Sequence, residues 1–253
     1  MQVVFFRALG TFAFIFPYML WHRIPIVGNH VGMLIARALV GIVSLATFFI
    51  CLQRIPLASA VSIRYLGPIF GAVLAFYFLR EKINAWQWFS FVISFSGVVV
   101  IKGFDLRIDY LSLALILTSA LFLGTVFVII RYLSTREHYL TIINYFMVVS
   151  MVLGLAFLKF WRMPNTEEWP AVIGIGIFGL IGQVFMTKAY QLTEASVLAP
   201  FKYAGLIYAL IIGYAYFGET FTLLPLLGIG LILAGMLLSI YGKRQHKSEP
   251  AKA

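Results

Sequence analysis

Apolar residues recur along this chain in uninterrupted stretches of roughly 18 to 24, each long enough to cross about 30 Å of hydrocarbon at about 1.5 Å per residue. The pattern predicts spans near 3–20, 31–52, 57–79, 85–101, 110–132, 140–160, 169–189, 195–217 and 222–241. These segments are apolar all round and too long for buried strands. An outer-membrane barrel would alternate apolar and polar positions over about ten residues, so the spans read as helices. All five tryptophans, Trp21, Trp86, Trp88, Trp161 and Trp169, fall at span edges, where an indole sits in the interface with its N–H hydrated.

Lys and Arg in alternate loops set the orientation. With the C-terminus inside, inner segments hold Arg23, Arg80, Lys82, Arg131, Arg136, Lys188, Lys243, Arg244, Lys247 and Lys252, against Arg54, Lys102, Arg107, Lys159 and Arg162 outside. That excess favours a cytoplasmic C-terminus. Nine spans then put Met1 outside. No small-x-small cleavage site follows the first apolar stretch, which reads Tyr18, Met19, Leu20, Trp21, His22, so it is expected to be a retained span.

The chain also repeats itself. Leu57 to Tyr65, running on to Glu81, matches Glu194 to Tyr203, running on to Glu219; Arg64 and Lys202, Tyr65 and Tyr203, Glu81 and Glu219, and Gly97 and Gly235 all share one spacing. Carried upstream with one residue of slack, that register lays 140–160 on 3–20 and 169–189 on 31–52. The stretch 110–132 then maps before Met1. An odd number of helices per complete copy forces the copies into opposite membrane orientations, an inverted repeat.

With the repeat in hand, the residues resemble the EamA-type branch of the drug/metabolite transporter superfamily. That resemblance rests on an Ala-Ser entry, a helix Pro, a Glu past its end and a Gly in the next helix. Here they are Ala58, Ser59, Pro68, Glu81 and Gly97, then Ala195, Ser196, Pro200, Glu219 and Gly235. It covers nearly the whole chain and implies an all-α polytopic membrane bundle. The expected repeats are 1–103, incomplete with four helices, and 110–242 with five, followed by a basic cytoplasmic tail at 243–253. Members have ten helices with both termini inside, so the resemblance implies a first helix not found in this sequence, through a misassigned or truncated start or a nine-helix form. Pro68 aligns with Leu206 and not Pro200, so kinks need not be symmetric.

Composition agrees with a membrane solvent: 62% of residues are hydrophobic and 11% charged, against about 25% charged in soluble domains. The net charge of +10 comes from loops and the tail, with no basic face on a soluble domain, which argues against a nucleic-acid partner. Four cations remain inside spans: Arg7, Arg37, Arg64 and Lys202. Each costs at least about 2.5 kcal/mol at a helix centre, so a cavity or partner is expected. Arg64 and Lys202, repeat mates about one third of a span from opposite faces, are the best candidates to meet substrate, with Tyr65 and Tyr203 adding hydroxyls and ring faces. Arg7 and Arg37 are further candidates to meet substrate, though they lie nearer span ends, where a long side chain can reach the headgroups. No Asp or Glu lies deep in a span. Interior cations without carboxylates give a positive potential suited to anionic or zwitterionic substrates. Glu81 and Glu219 sit at helix ends and are expected to cap loops.

Other motifs carry less. Gly174, Gly176 and Gly179 spell a dinucleotide fingerprint, but inside an apolar span they fit close helix packing instead, as do Gly67 and Gly71. The histidines, His22, His30, His138 and His246, fall in loops or tail, and Cys51 is alone, so no metal or cofactor site and no disulfide is legible. No acidic pair in the membrane supports catalysis. The reading is a transporter that moves a small polar metabolite by alternating access, by export or exchange, in the plasma (inner) membrane. A non-transporting scaffold or receptor built on the same repeat is the competing reading.

Overall fold

The computed structural model of the protein describes residues 1–79, 83, 85–104, 108–192, 205, 208–220 and 222–248. Its helices are α1 (Gln2–Trp21), α2 (Val31–Leu52), α3 (Leu57–Arg64), α4 (Gly67–Leu79), α5 (Ala85–Phe104), α6 (Tyr110–Leu133), α7 (Tyr139–Leu155), α8 (Trp169–Leu192) and α9 (Leu223–Ser248), with a further helical stretch at 208–215. Among the described residues, six stretches are long and apolar enough to cross a bilayer, α3 and α4 together forming one. Tyr139–Leu155 and Leu223–Leu238 are apolar but shorter. The chain is a polytopic helical membrane protein. Most of the expected span 195–217 lies outside the described residues.

Three elements depart furthest from the hydropathy reading, each for a local reason. The expected span 57–79 breaks at Tyr65–Leu66, because Pro68 lacks the N–H that would bond the Arg64 carbonyl, and Leu66 N–H turns instead to Ile63 O at 3.0 Å. Helix α7 stops at Leu155, and a short 3₁₀ turn at Leu158–Phe160 follows. That departure sets Trp161 against the rings of Phe5 and Phe6, at 4.7 and 5.6 Å between centroids. Helix α9 continues to Ser248, so much of the expected tail, His246 included, is helical. Lys243, Arg244 and Lys247 are good helix formers, and cations suit a helix C-terminus.

Residues group into two compact units: Met1–Ala46 with Val126–Thr193, and Thr47–Thr125 with Glu194–Ala253. In the first, α1 packs on α7 and α8 around Ala8, Ile15, Met19, Ala38, Ile42, Leu140, Ile143, Phe146 and Met147. Helices α1 and α8 approach through glycine, since a Cβ at Gly10 would stand 2.8 Å from the Gly176 Cα. The fingerprint glycines Gly176 and Gly179 are therefore spacers against α1, while Gly174 faces open space. At one end of this unit the Glu137 carboxylate accepts from His30 N–H at 2.7 Å and meets the His30 ring Nδ1 at 3.1 Å, joining the loop before α2 to the loop before α7.

His138 is the N-cap of α7, its ring Nδ1 accepting from Leu140 N–H at 3.2 Å. Only a neutral ring accepts, and burial lowers its pKa below the ordinary histidine value. A depressed base helps the fold above its unfolded pKa, near 6.5, and loses that help as pH falls toward the folded value. Wild-type protein should therefore lose thermal stability between pH 7 and 5.5 relative to His138→Asn, which keeps an acceptor that does not titrate. Parallel melting curves for the two proteins would sink the idea.

In the second unit, α5 packs along α9, burying Phe91, Val98, Ile101, Ile229, Ile232 and Met236. A Cβ at Gly97 would stand 2.5 Å from Gly228 O and 2.8 Å from Ile232 Cγ1, and one at Gly235 would meet Ser90 O at 2.6 Å and overlap Ser94 Oγ. Position 97 thus touches 228 and 232, while its repeat mate 235 touches 90 and 94, the mates of 228 and 232. The pair is antiparallel about a local twofold axis across the helices. Helices α4 and α6 also meet through glycine: a Cβ at Gly124 would lie 2.6 Å from both Gly67 O and Gly71 N. Cys51 is buried in the core of this unit as a small residue. Outside the spans, Asp109 accepts from Ser112 N–H and Arg54, and these bonds hold its carboxyl below the usual range.

Buried polar groups are mostly small hydroxyls, some bonded within the helix, such as Ser62 to Ala58 O and Ser90 to Gln87 O at 2.6 Å, and some to another segment, such as Thr141 to Pro25 O at 2.6 Å. Large apolar side chains such as Phe78, Phe178 and Phe185 are instead exposed. That inversion suits a lipid solvent, where backbone and hydroxyl groups must be satisfied internally.

Candidate functional site

Two of the predicted residues stand where the second unit breaks its helix. Arg64 is the last residue of α3, so the guanidinium and the C-terminal end of that short helix coincide. Eight residues of helix place it about 12 Å along the span. Its guanidinium carbon lies 4.1 Å from the centre of the Phe48 ring. A cation there is favoured by the helix dipole and by the ring face. Tyr65 directs its hydroxyl at Gly205, where a Cβ would collide with it. The repeat mates Lys202 and Tyr203, with Pro200 and Glu81, lie outside the described residues.

Glu219 holds the start of the same helix. Its Oε1 accepts from Leu57 N–H at 2.5 Å, an anion on the first turn of α3, while its own N–H donates to Gly213 O at 2.8 Å. The carboxylate caps a helix from another segment of the unit and leaves Oε2 buried without a partner among the described residues. Glu219→Ala should lower unfolding stability in detergent by about 1–2 kcal/mol, read from the denaturation midpoint. A midpoint equal to wild type would show that the bond is idle.

The first unit holds Arg7 and Arg37. Arg37 was expected to reach the headgroups, but it is 1% exposed and its guanidinium carbon lies over Phe146, 4.3 Å from the ring centre. Gly41, one turn on, leaves room for both: a Cβ there would stand 3.0 Å from the Phe146 ring and 3.6 Å from Arg37 Nη1. Arg7 lies across α8 at Gly179, where a Cβ would come within 2.9 Å of its Cγ, and donates to Gln183 Oε1 at 3.4 Å. Arg7 therefore also turns inward.

Sequence reasoning missed the uncharged members of this cluster. Gln183 and Thr187, one turn apart on α8, are 4% and 0% exposed, and Asn144 on α7 is 3% exposed. Arg37 Nε and Nη1, Gln183 Nε2, Thr187 Oγ1 and Asn144 Oδ1 have no hydrogen-bond partner among the described residues. The three carboxylates of this unit, Glu137, Glu167 and Glu168, all lie at helix ends, with Glu137 on His30 and Glu168 on Arg162. A desolvated cation–π contact offsets about 2 kcal/mol, whereas an unpaired buried ion costs several. Phe146 alone does not balance Arg37. The signal available in sequence was polar residues four apart, Gln183 and Thr187, on one face of an apolar helix. A separate pocket of about 230 Å³ at the start of α1 and α8 is lined by Gln2, Phe6, Arg162, Glu168 and Val172 among others, and contains none of the predicted site residues.

Comparison with known proteins agrees with this architecture. The profile of the EamA-like transporter family matches residues 1–103 and 111–241. The chain is 29% identical over 244 residues to the pseudopaline exporter of Pseudomonas aeruginosa, covering 93% of this chain and 84% of that protein. It is 26% identical over 261 residues to an S-adenosylmethionine uptake transporter of Rickettsia felis, covering 98% and 87%. A solved crystal structure superposes with a TM-score of 0.70 at 16% identity, over 98% of this chain and 88% of that one, and speaks for the fold.

Proposed function

Because the chain belongs to the EamA-like transporter family, we propose that it carries a small polar metabolite, anionic or zwitterionic, across the membrane by alternating access. Transport of a small metabolite through a multi-pass membrane protein is what its relatives do, and they include both an exporter and an uptake carrier. The finer reading rests chiefly on one observation: the third apolar stretch breaks at Tyr65–Leu66 with Arg64 at the break. Discontinuous helices of inverted-repeat transporters supply backbone groups and terminal dipoles to a site near mid-membrane. A cation at such a break suits a carboxylate or phosphate, and the aromatic residues beside it, Phe48 and Tyr65, suit a ring or apolar body.

Export or exchange is the direction this reading favours, with the plasma (inner) membrane as location and the C-terminus cytoplasmic, on the Lys and Arg distribution. The antiparallel pairing of α5 with its repeat mate α9 supports the inverted plan, in which two similar halves exchange conformations of nearly equal energy. Counterflow in proteoliposomes tests the proposal. Vesicles loaded with an unlabelled amino acid, organic acid or nucleotide should accumulate the matching labelled compound transiently for at least one anionic or zwitterionic class. Absence of counterflow across all three classes, with folded protein present, would leave the scaffold reading.

A further inference from the structure

The Arg37 cluster fits neither the headgroup contact expected of it nor a finished core. Its members come from three helices of the first unit: Arg7 on α1, Arg37 on α2, and Gln183 and Thr187 on α8. Arg7 and Gln183 are joined by a hydrogen bond at 3.4 Å and Thr187 follows one turn on, while Arg37 lies over Phe146, whose ring belongs to the same packed cluster as Leu180 and Val184 of α8. The unpartnered groups are mainly donors, two guanidinium nitrogens and an amide nitrogen, with the Thr187 hydroxyl able to join them. Each of those side chains is more than nine-tenths buried, and no carboxylate of the unit is placed to answer them. A core selected only for packing would not keep them: buried polar groups are nearly always satisfied, and an apolar replacement of a buried ion is commonly neutral or stabilising.

We propose that Arg37, with Gln183, Thr187 and Arg7, forms an oxyanion-binding site in the first unit that takes a carboxylate or phosphate group of a small solute. Arg37 supplies charge and N–H donors beside the Phe146 ring, and the buried Gln183 amide, anchored through its oxygen by Arg7, offers an N–H₂ with no partner among the described residues. The binding claim stands on this geometry; only its role as part of the transport cycle rests on the carrier reading above.

The test uses the full chain in nanodiscs of phosphatidylcholine, so that no anionic headgroup competes, at constant chloride. Succinate and inorganic phosphate are compared with the neutral diamide succinamide. Wild-type protein should gain roughly 2–4 °C in Tm at tens of millimolar from succinate or from phosphate, and nothing from succinamide. Which of the two acts says which oxyanion the site takes. Arg37→Met should melt at or above wild type, since an unpaired charge is gone, and its oxyanion response should be lost. Gln183→Leu keeps the charge and should shift the succinate midpoint at least about fivefold, so the proposal remains testable if Arg37→Met fails to fold. No response of wild type to either oxyanion overturns the proposal, and so does a Gln183→Leu response equal to wild type. Counterflow separates the two readings: flux without oxyanion binding overturns this site and leaves the carrier, whereas binding without flux of any solute overturns the carrier and leaves the site.

Discussion

Replacing Gly97 with leucine is expected to abolish recovery of folded protein, whereas Gly230→Leu on the paired helix is expected to be tolerated. The contrast is geometric. At Gly97 even a methyl group would stand 2.5 Å from the Gly228 carbonyl and 2.9 Å from the Ile232 amide nitrogen, backbone atoms that cannot rotate away. At Gly230 a Cβ meets nothing within 4 Å. Overpacking a rigid site costs about 1–3 kcal/mol for small additions, and a leucine here must force α5 and α9 apart along their whole seam. In lipid there is no hydrophobic drive to bring them back, because association rests on close van der Waals contact. Gly97→Ala should be intermediate. Yield of monodisperse protein and Tm in detergent are the readouts; a Gly97→Leu protein with wild-type values would refute the seam as described.

Neutralising Arg64 and Lys202 together, as Arg64→Gln with Lys202→Gln, should abolish counterflow while leaving folded protein. A charge-assisted hydrogen bond is worth about 1.5–3 kcal/mol, or roughly 10- to 150-fold in affinity. Loss of two such contacts to one anion removes measurable flux at ordinary substrate concentration. Arg64 sits where α3 ends, over the Phe48 ring, and glutamine keeps part of its polar stem there. Each single variant should retain a fraction of the flux with a raised KM. Unchanged flux in the double variant would exclude both residues from the solute path.

Much of the helix plan was legible because the bilayer imposes a length that composition alone reports: α2 runs Val31–Leu52 as hydropathy predicts, and α1 and α6 differ by a residue or two at their ends. The break at Tyr65–Leu66 was hidden by the same rule, since a proline two residues on leaves hydropathy untouched while deleting a backbone bond. Gly67, Gly71, Gly176 and Gly179 were readable as spacers because an apolar helix has little other use for them. Arg37 was misjudged for a physical reason. Distance from a span end says how far a side chain could travel, but the direction it takes is set by Gly41 and Phe146 across from it. Gln183 and Thr187 were passed over because uncharged polar residues barely dent a hydropathy window.

The α5–α9 seam maps onto itself when the two helices are interchanged, yet its furnishings differ: Ser90 and Ser94 on one helix answer Gly228 and Ile232 on the other. A fully palindromic seam would be degenerate, equally content either way up. An alcohol at one end and a branched alkyl group at the other lift that degeneracy, so this pair has a distinguishable top and bottom.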